Sequence, residues 1–366
     1  MPDMNPDAPV LLEQRAGNGG LRVGIATLNA PASLHALTLE MIRTLYIALR
    51  DWASDPAIAC VVLQSSTDKA FCAGGDVRSL RNAILEAPQA MPNPEALAFF
   101  SEEYRLDHLI HVYPKPIVVW GGGIVMGGGL GLLAGASHRV MTPTTRIAMP
   151  EITIGLFPDV GGSWFLPRMP GRTGLFLGLT GAALNAHDAL FTGLGDYFIA
   201  QEQRNDVIAA LCDADWRDDA HSVADKVLRR ASLSADALPE SEVRRHYDTI
   251  NALTCARKLE DVVTAIKAYD GDAVWLQRAA AALAKGAPSS IALVWELQRR
   301  ARHLSLGDVF RMELVVALQC CAHADFAEGV RALLVEKDNQ PKWAPLKNIE
   351  EYFASPWQQH PLADLR

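Results

Sequence analysis

A chain of 366 residues can form one large domain or two ordinary ones and has ample length for a buried core. Hydrophobic residues make up 49%, charged residues 21% and aromatics 7%, which excludes disorder, collagen-like repeats and coiled-coil rods. With 42 acidic and 34 basic residues the net charge is −8, so no basic field exists to hold nucleic acid or an anionic membrane surface.

The opening residues mix prolines and acids without the basic-then-apolar order of a secretory signal, and the first twenty are expected to be a loose lead-in. Leu21 to Leu28 reads as a strand. Ile42, Leu45, Tyr46, Leu49 and Trp52 then fall on one face of a helix that opens after Thr38. Cys60 to Leu63 is a short buried strand, followed by a Gly-rich corner at Ala73 to Asp76 and a helical piece. A longer helix from Ala96 to Val112 is ended by Pro114 and Pro116. Ile117 to Trp120 is the next strand, glycines 121 to 123 a loop, and Gly128 to Ala136 a helix. Arg139 to Met141 and Arg146 to Met149 are two further short strands.

This succession of β and α units predicts an α/β fold of stacked sheets with helices on their faces. From about residue 171 helical spacing dominates, as in Val262, Val263 and Ile266 or Val309, Met312, Leu314, Val315 and Leu318. A core over residues 20–200 and a helical region over 201–366 are expected to form one cooperative body, since no linker or repeat separates them.

Ile117 to Ala136 carries no charge over twenty residues, the length of a membrane span, yet eight of the twenty are glycine. Each glycine costs a helix about 1 kcal/mol relative to alanine, so a buried strand, loop and short helix is expected and no membrane partner. The six cysteines (Cys60, Cys72, Cys212, Cys255, Cys320, Cys321) lack C-x-x-C spacing and read as reduced thiols in the cytoplasm.

The usual cofactor motifs fail. Gly121-x-Gly123 is followed three residues on by Met126, and Gly127-x-Gly129 by Leu132, so neither register completes a dinucleotide fingerprint. No phosphate-binding GK[ST] loop, HExxH pair or EF-hand pattern occurs, and Phe165 replaces the glycine of a nucleophile elbow after Ser163. No metal is expected. His138, at a strand start, reads as a structural hydrogen bonder.

Two glycine corners and two acids remain. Ala73-Gly74-Gly75-Asp76-Val77 lets backbone N–H groups point into a cavity, with Asp76 placed to cap the next helix. Met126-Gly127-Gly128-Gly129 opens a helix whose first amides are unpaired. Two such donors aimed at one point would make an oxyanion hole, although a plain turn explains either corner taken singly. Glu151 and Asp159 lie in Met149-Pro150-Glu151-Ile152-Thr153-Ile154-Gly155-Leu156-Phe157-Pro158-Asp159-Val160-Gly161-Gly162, where apolar neighbours favour raised pKa values and proton transfer. The competing reading of Asp159 is an N-cap for the helix starting near Gly161.

Together these segments resemble the crotonase (enoyl-CoA hydratase/isomerase) superfamily, and within it the 3-hydroxyisobutyryl-CoA hydrolase branch. Residues 20 to 200 carry the resemblance, supported by the tail Asp325-Phe326-Ala327-Glu328-Gly329-Val330-Arg331-Ala332. It implies a ClpP-like spiral of ββα units with a helical C-terminal region, and acyl-CoA thioester chemistry as in valine catabolism, with CoA thioester as substrate and no cofactor. The oxyanion donors would fall on Gly75 and Gly128. CoA and substrate contacts would fall on Leu34, Ala36, Ala73, Gly74, Asp76, Val77, Gly123 and Gly127, with His35-Ala36-Leu37 where the family has Asn-Ala-Leu.

Hydratases of the superfamily use a glutamate two residues after the glycine run, where this chain has Gly131. The hydrolase branch keeps the acid of Pro150-Glu151 and adds an aspartate eight residues on, here Asp159. The resemblance therefore implies thioester hydrolysis, with Glu151 as nucleophile or general base and Asp159 orienting the acyl hydroxyl or water and supplying a proton. An enoyl-CoA isomerase using Glu151 alone and a non-catalytic acyl-CoA-binding protein are the alternatives. Trimers, or dimers of trimers, come with the resemblance, and the state of any homo-oligomer is left open.

Overall fold

The structure, a computed structural model, describes residues 5–366. In chain order its first elements are β1 (Val10–Ala16), β2 (Arg22–Leu28), α1 (Leu39–Ser54), β3 (Ile58–Ser65), β4 (Ala70–Cys72), α2 (Val77–Glu86) and α3 (Pro94–His111). Then come β5 (Ile117–Gly121), β6 (Ile124–Met126), α4 (Gly128–Ala134), β7 (His138–Met141) and β8 (Arg146–Ala148). A turn at Glu151–Thr153, α5 (Gly162–Phe165) and α6 (Thr173–Thr180) follow. After β9 (Tyr197–Phe198) the chain is helical.

Strands are used in pairs. The first of each pair, β3, β5 and β7, enters a six-stranded sheet of order β1-β2-β3-β5-β7-β9; the second, β4, β6 and β8, enters a three-stranded sheet of order β4-β6-β8. Each pairing recorded in the large sheet is parallel except β1 with β2. The lead-in was expected to be loose, but Val10–Ala16 is an edge strand registered from Val10 opposite Leu28 to Ala16 opposite Arg22. One turn of chain returns it to its partner, and its charges, Glu13 and Arg15, bond each other, a polar edge that blunts further pairing.

Two compact units divide the chain, and they do not follow its order. Unit 1 takes residues 1–75, 106–147 and 184–241; unit 2 takes 76–105, 148–183 and 242–366. The expected boundary at residue 200 falls inside unit 1.

In unit 1, period-2 alternation sends Val23 and Ile25, Cys60 and Val62, and Val118 and Trp120 to one face of the large sheet. Val207, Ile208 and Leu211 of helix Arg204–Asp213 and Ala224 and Leu228 of helix Ala220–Ala231 join that core. Thr38 caps α1 by accepting from the Met41 amide at 3.2 Å. α1 buries Ile42, Leu45, Leu49 and Trp52 as expected, with Met41 and Ala48; Tyr46 departs from that face, is half-buried, and carries the Arg50 guanidinium over its ring. His138 bonds Ser137 and the His221 carbonyl, the structural role expected of it.

Unit 2 is a helical body. Helix Pro288–Ala301 starts on its proline and buries Leu293 and Leu297, and helix Leu306–Ala322, capped by Ser305, buries Phe310 and Leu314. Helix Ala324–Val330 follows at once and buries Phe326 and Val330. No described helix is long and apolar enough to cross a membrane.

Candidate active site

Unit 1 brings the two glycine corners together. β4 and β6 run parallel, Ala70 opposite Ile124 and Cys72 opposite Val125, so the turns after them emerge side by side. Gly74 has φ +114, and a Cβ there would lie 3.6 Å from the Met126 carbonyl oxygen. At Gly129 a Cβ would lie 2.4 Å from the Cys72 carbonyl oxygen, so only glycine lets α4 start this close to β4. Among the described residues, neither the Gly75 nor the Gly128 amide donates a hydrogen bond to protein.

A third loop is tied to the first corner. Leu34 accepts from the Ala73 amide at 3.1 Å, and the Leu37 amide donates to Gly74 at 2.8 Å. Leu34 and His35 have φ of +54 and +58, a conformation L residues rarely adopt. His35 supports it: buried Nδ1 accepts from the Ala30 amide at 3.0 Å, leaving Nε2–H to donate to Thr67 at 2.9 Å. The histidine replacing the family's asparagine therefore serves the loop itself. Ala36 lies within this pinned loop, and its own amide donates to Ser33. Gly123 is committed internally, its N–H to Thr144 and its carbonyl to the Arg146 amide. Gly127 carries the turn into α4 with φ +46.

Unit 2 holds the acids. Glu151 opens the turn after Pro150, is 5% exposed, and its Oε2 has no hydrogen-bond partner among the described residues. Burial raises its pKa well above the ordinary carboxylate value, and the charge of Asp159 raises it further. Asp159 is 4% exposed and accepts from the Tyr104 hydroxyl at 2.7 Å. Burial pushes its pKa up to about 6, against the downward pull of the Tyr104 bond. The N-cap reading of Asp159 fails. Glu313, from helix Leu306–Ala322, accepts from the Gly161 and Ser163 amides at 2.8 Å each and so takes the donors a cap would use. Asp76 does cap α2, accepting from the Ser79 amide and hydroxyl, and Val77 is the first residue of that helix.

The acid segment is seated on the C-terminal helices by two glycines. A Cβ on Gly155, at φ +70, would lie 2.3 Å from the Asp325 carbonyl carbon, and one on Gly329 would lie 2.5 Å from Ile154 backbone atoms. Buried Asp325 accepts from Ser289 at 2.5 Å and the Ala344 amide at 2.8 Å. Phe157 is fully buried, and Trp164 is half-buried under the Arg168 guanidinium.

Tyr104, Glu103 and Glu313 were not singled out from sequence, and Asp325 was read only as part of the tail that carries the family resemblance. A signal existed: Glu103 lies three and four residues after Phe100 and Phe99, and Glu313 four after Val309, so each puts an acid on an apolar helix stripe. Among the described residues no group of three or more His, Cys, Asp or Glu side chains is placed to hold a metal ion.

Strands delivered in pairs to a six-stranded and a three-stranded sheet are the architecture of the crotonase fold, and the chain belongs to the enoyl-CoA hydratase/isomerase family, whose sequence profile matches residues 23–360. It is 40% identical over 336 residues to the mitochondrial 3-hydroxyisobutyryl-CoA hydrolase of Danio rerio, covering 91% of this chain and 86% of that one. The Homo sapiens protein of the same name is 35% identical, covering 93% and 86%. Among solved structures, an enoyl-CoA hydratase from Rhodobacter sphaeroides has TM-score 0.81 at 33% identity, covering 94% of this chain and 97% of that one. A carnitinyl-CoA dehydratase from Mycobacterium thermoresistibile has TM-score 0.83 at 32% identity, covering 95% and 97%.

The word mitochondrial in the relatives' names overturns the expected cytoplasmic location. Free cysteines separate reducing from oxidising compartments and do not tell one reducing compartment from another.

Proposed function

We propose that the chain is a hydrolase of short 3-hydroxyacyl-CoA thioesters, with 3-hydroxyisobutyryl-CoA as the preferred substrate and a place in valine breakdown. The relatives at 35–40% identity over more than nine-tenths of the chain support the thioester-hydrolase activity. The observation that carries the reading of the site is the buried pair Glu151 and Asp159, combined with Gly131 where a hydratase has its other glutamate.

In this reading the Gly75 and Gly128 amides, which lack protein acceptors, stabilise the carbonyl oxygen as it becomes negative. Glu151, desolvated and hence a stronger base when ionised, either attacks the carbonyl to give an anhydride that water then opens, or takes a proton from the attacking water. The carbon–sulfur bond breaks, and the sulfur leaves as thiolate and takes up a proton. Asp159, ionised above about pH 6, accepts a hydrogen bond from the acyl hydroxyl or the water. Water is the only co-reactant. Leu34, Ala36, Ala73 and Val77 are assigned to the CoA moiety.

The test is release of free thiol from 3-hydroxyisobutyryl-CoA and 3-hydroxypropionyl-CoA by the purified protein, compared with Glu151→Gln and Asp159→Asn. Unchanged release in both variants removes the assignment of the acids. No release from any short hydroxyacyl-CoA, with isomerisation of a 3-enoyl-CoA instead, replaces hydrolysis by the isomerase reaction.

A further inference from the structure

Asp159 sits among groups that should discourage its ionisation. Glu103 from α3, Glu151 from the turn after Pro150, and Glu313, Cys320 and Cys321 from helix Leu306–Ala322 face it electrostatically. Among the described residues no Arg, Lys or His is ion-paired with it. Among those residues its one side-chain hydrogen-bond partner is Tyr104, fully buried, whose ring packs on Phe100 and Phe310 at centroid distances of 5.8 Å each. Burial and the surrounding acids hold its own pKa well above the ordinary tyrosine value, so it stays a donor throughout the working pH range.

We propose that Tyr104 is a positioning residue that fixes the rotamer of Asp159 and keeps its carboxylate ionised at the pH of turnover, in place of a cation. The inference rests on the role given to Asp159 above. A hydrogen bond to a charged group favours that charge, so loss of the phenol oxygen should raise the pH at which Asp159 becomes active by about 1–2 units. A cation could hold the charge equally well but would draw the neighbouring acids into ionisation too; a buried phenol acts on the one oxygen it touches.

The experiment is the pH profile of kcat/KM for thiol release from 3-hydroxyisobutyryl-CoA. Asp159→Asn comes first. If it removes an acid limb of the wild-type profile, that limb belongs to Asp159; if the whole profile survives, the role of Asp159 fails and the inference falls with it. Given that limb, Tyr104→Phe should move it about 1–2 units to higher pH and lower kcat about tenfold near neutrality, with full rate recovered at alkaline pH. Phe310→Leu, which loosens the ring packing and leaves the hydroxyl, should lower the thermal midpoint and leave the limb in place. Replacing Tyr104 by 3-fluorotyrosine, a stronger donor of nearly the same shape, should move the limb the opposite way and does not depend on Tyr104→Phe folding. A limb fixed in both Tyr104 replacements, with Asp159→Asn still abolishing it, overturns the inference and leaves the hydrolase reading standing.

Discussion

The glycine corners and the acid segment are built in opposite ways. Gly75 and Gly128 are placed by their own strands, β4 and β6, whose parallel register sets the two turns side by side with few residues involved. Glu151 and Asp159 lie in a segment with little regular structure, whose position comes from distant chain: Tyr104 on one side of it in sequence, Glu313 and Asp325 more than 150 residues further on. Backbone donors need only a strand end and a glycine. Ionisable side chains need a tuned environment, and tuning takes partners from several elements. The first kind of feature should respond to mutation chiefly in rate, and the second in rate, stability and pH dependence together.

The largest separation between the regions should come from removing the chemistry itself. Glu151→Gln is expected to lower kcat for thiol release about 10³-fold or more, because it removes nucleophile or base, with a thermal midpoint equal to or above that of wild type. The raised midpoint follows from burial: an unpaired Oε2 in a desolvated carboxylate is a cost the neutral amide reduces. A fall in midpoint would mean that Glu151 is a structural acid. Single-turnover reaction in ¹⁸O-water then separates the chemical routes, since label found in Glu151 after turnover requires an anhydride.

On the corner side, Gly129→Ala puts a Cβ 2.4 Å from the Cys72 carbonyl oxygen and forces α4 away from β4. The distance between the two amides changes, and kcat should fall about 10²-fold, the size of effect seen when one oxyanion donor is lost. CoA binding, measured by calorimetry with a non-hydrolysable analogue, should change much less. Equal loss of binding and rate would place the corner in ground-state recognition only.

Gly155→Ala tests the acid side. Its Cβ meets the Asp325 carbonyl carbon at 2.3 Å and its φ is +70, so a cost of about 2–4 kcal/mol is expected, read as a lowered urea midpoint. Rate should fall with it, because the segment carrying both acids must shift. The same stability loss with unchanged kcat would show that the 150–162 segment can leave the C-terminal helices without moving the acids.

These expectations also show how far residues alone could reach. The strands at Leu21–Leu28, Cys60–Leu63 and Ile117–Trp120, α1 with its Thr38 cap, the corners and the choice of Glu151 and Asp159 follow from local signals: period 2, period 3.6, glycine at strand ends, acids among apolar neighbours. What stayed hidden depends on tertiary contact. Asp159 beside Gly161 looked like a cap until Glu313 proved to hold the Gly161 and Ser163 amides. The lead-in looked loose because Val10–Ala16 mixes charge with apolar residues, and an edge strand tolerates that mixture. Gly155 and Gly329 read as turn residues, while their work is to let two backbones touch.

Glu313 supplies a smaller and sharper test. Glu313→Gln keeps one acceptor oxygen and turns an amide N–H₂ toward the other backbone donor, so one of two buried amides loses its partner at about 1–3 kcal/mol. The thermal midpoint should drop, and kcat should fall several-fold through Asp159, two residues before Gly161. Midpoint loss with an unaltered pH profile would confine Glu313 to holding the loop.

The smallest expected effect is in stability against pH, and its sign is opposite to that of ordinary paired carboxylates. Asp159 is raised to about 6 and Glu313 to about 8, with Glu151 and Glu103 also raised. For each, the folded state binds its proton more tightly than the unfolded chain does, whose carboxyl groups titrate near 4. Their contribution is therefore complete below pH 4 and is lost as pH climbs through the folded values, so the cluster alone makes the protein less stable at pH 8.5 than at pH 5.5. Surface ion pairs such as Arg229–Asp225, whose carboxyl is held below its ordinary value by the Arg229 hydrogen bond, act the other way only in strongly acid solution, and their share is small. Urea midpoints measured between pH 5.5 and 8.5 should fall steadily, and Glu151→Gln should flatten the slope while Gly129→Ala leaves it alone. A slope unchanged by Glu151→Gln would mean that this acid is already ionised throughout the range, and the desolvated pair would lose its claim to special chemistry.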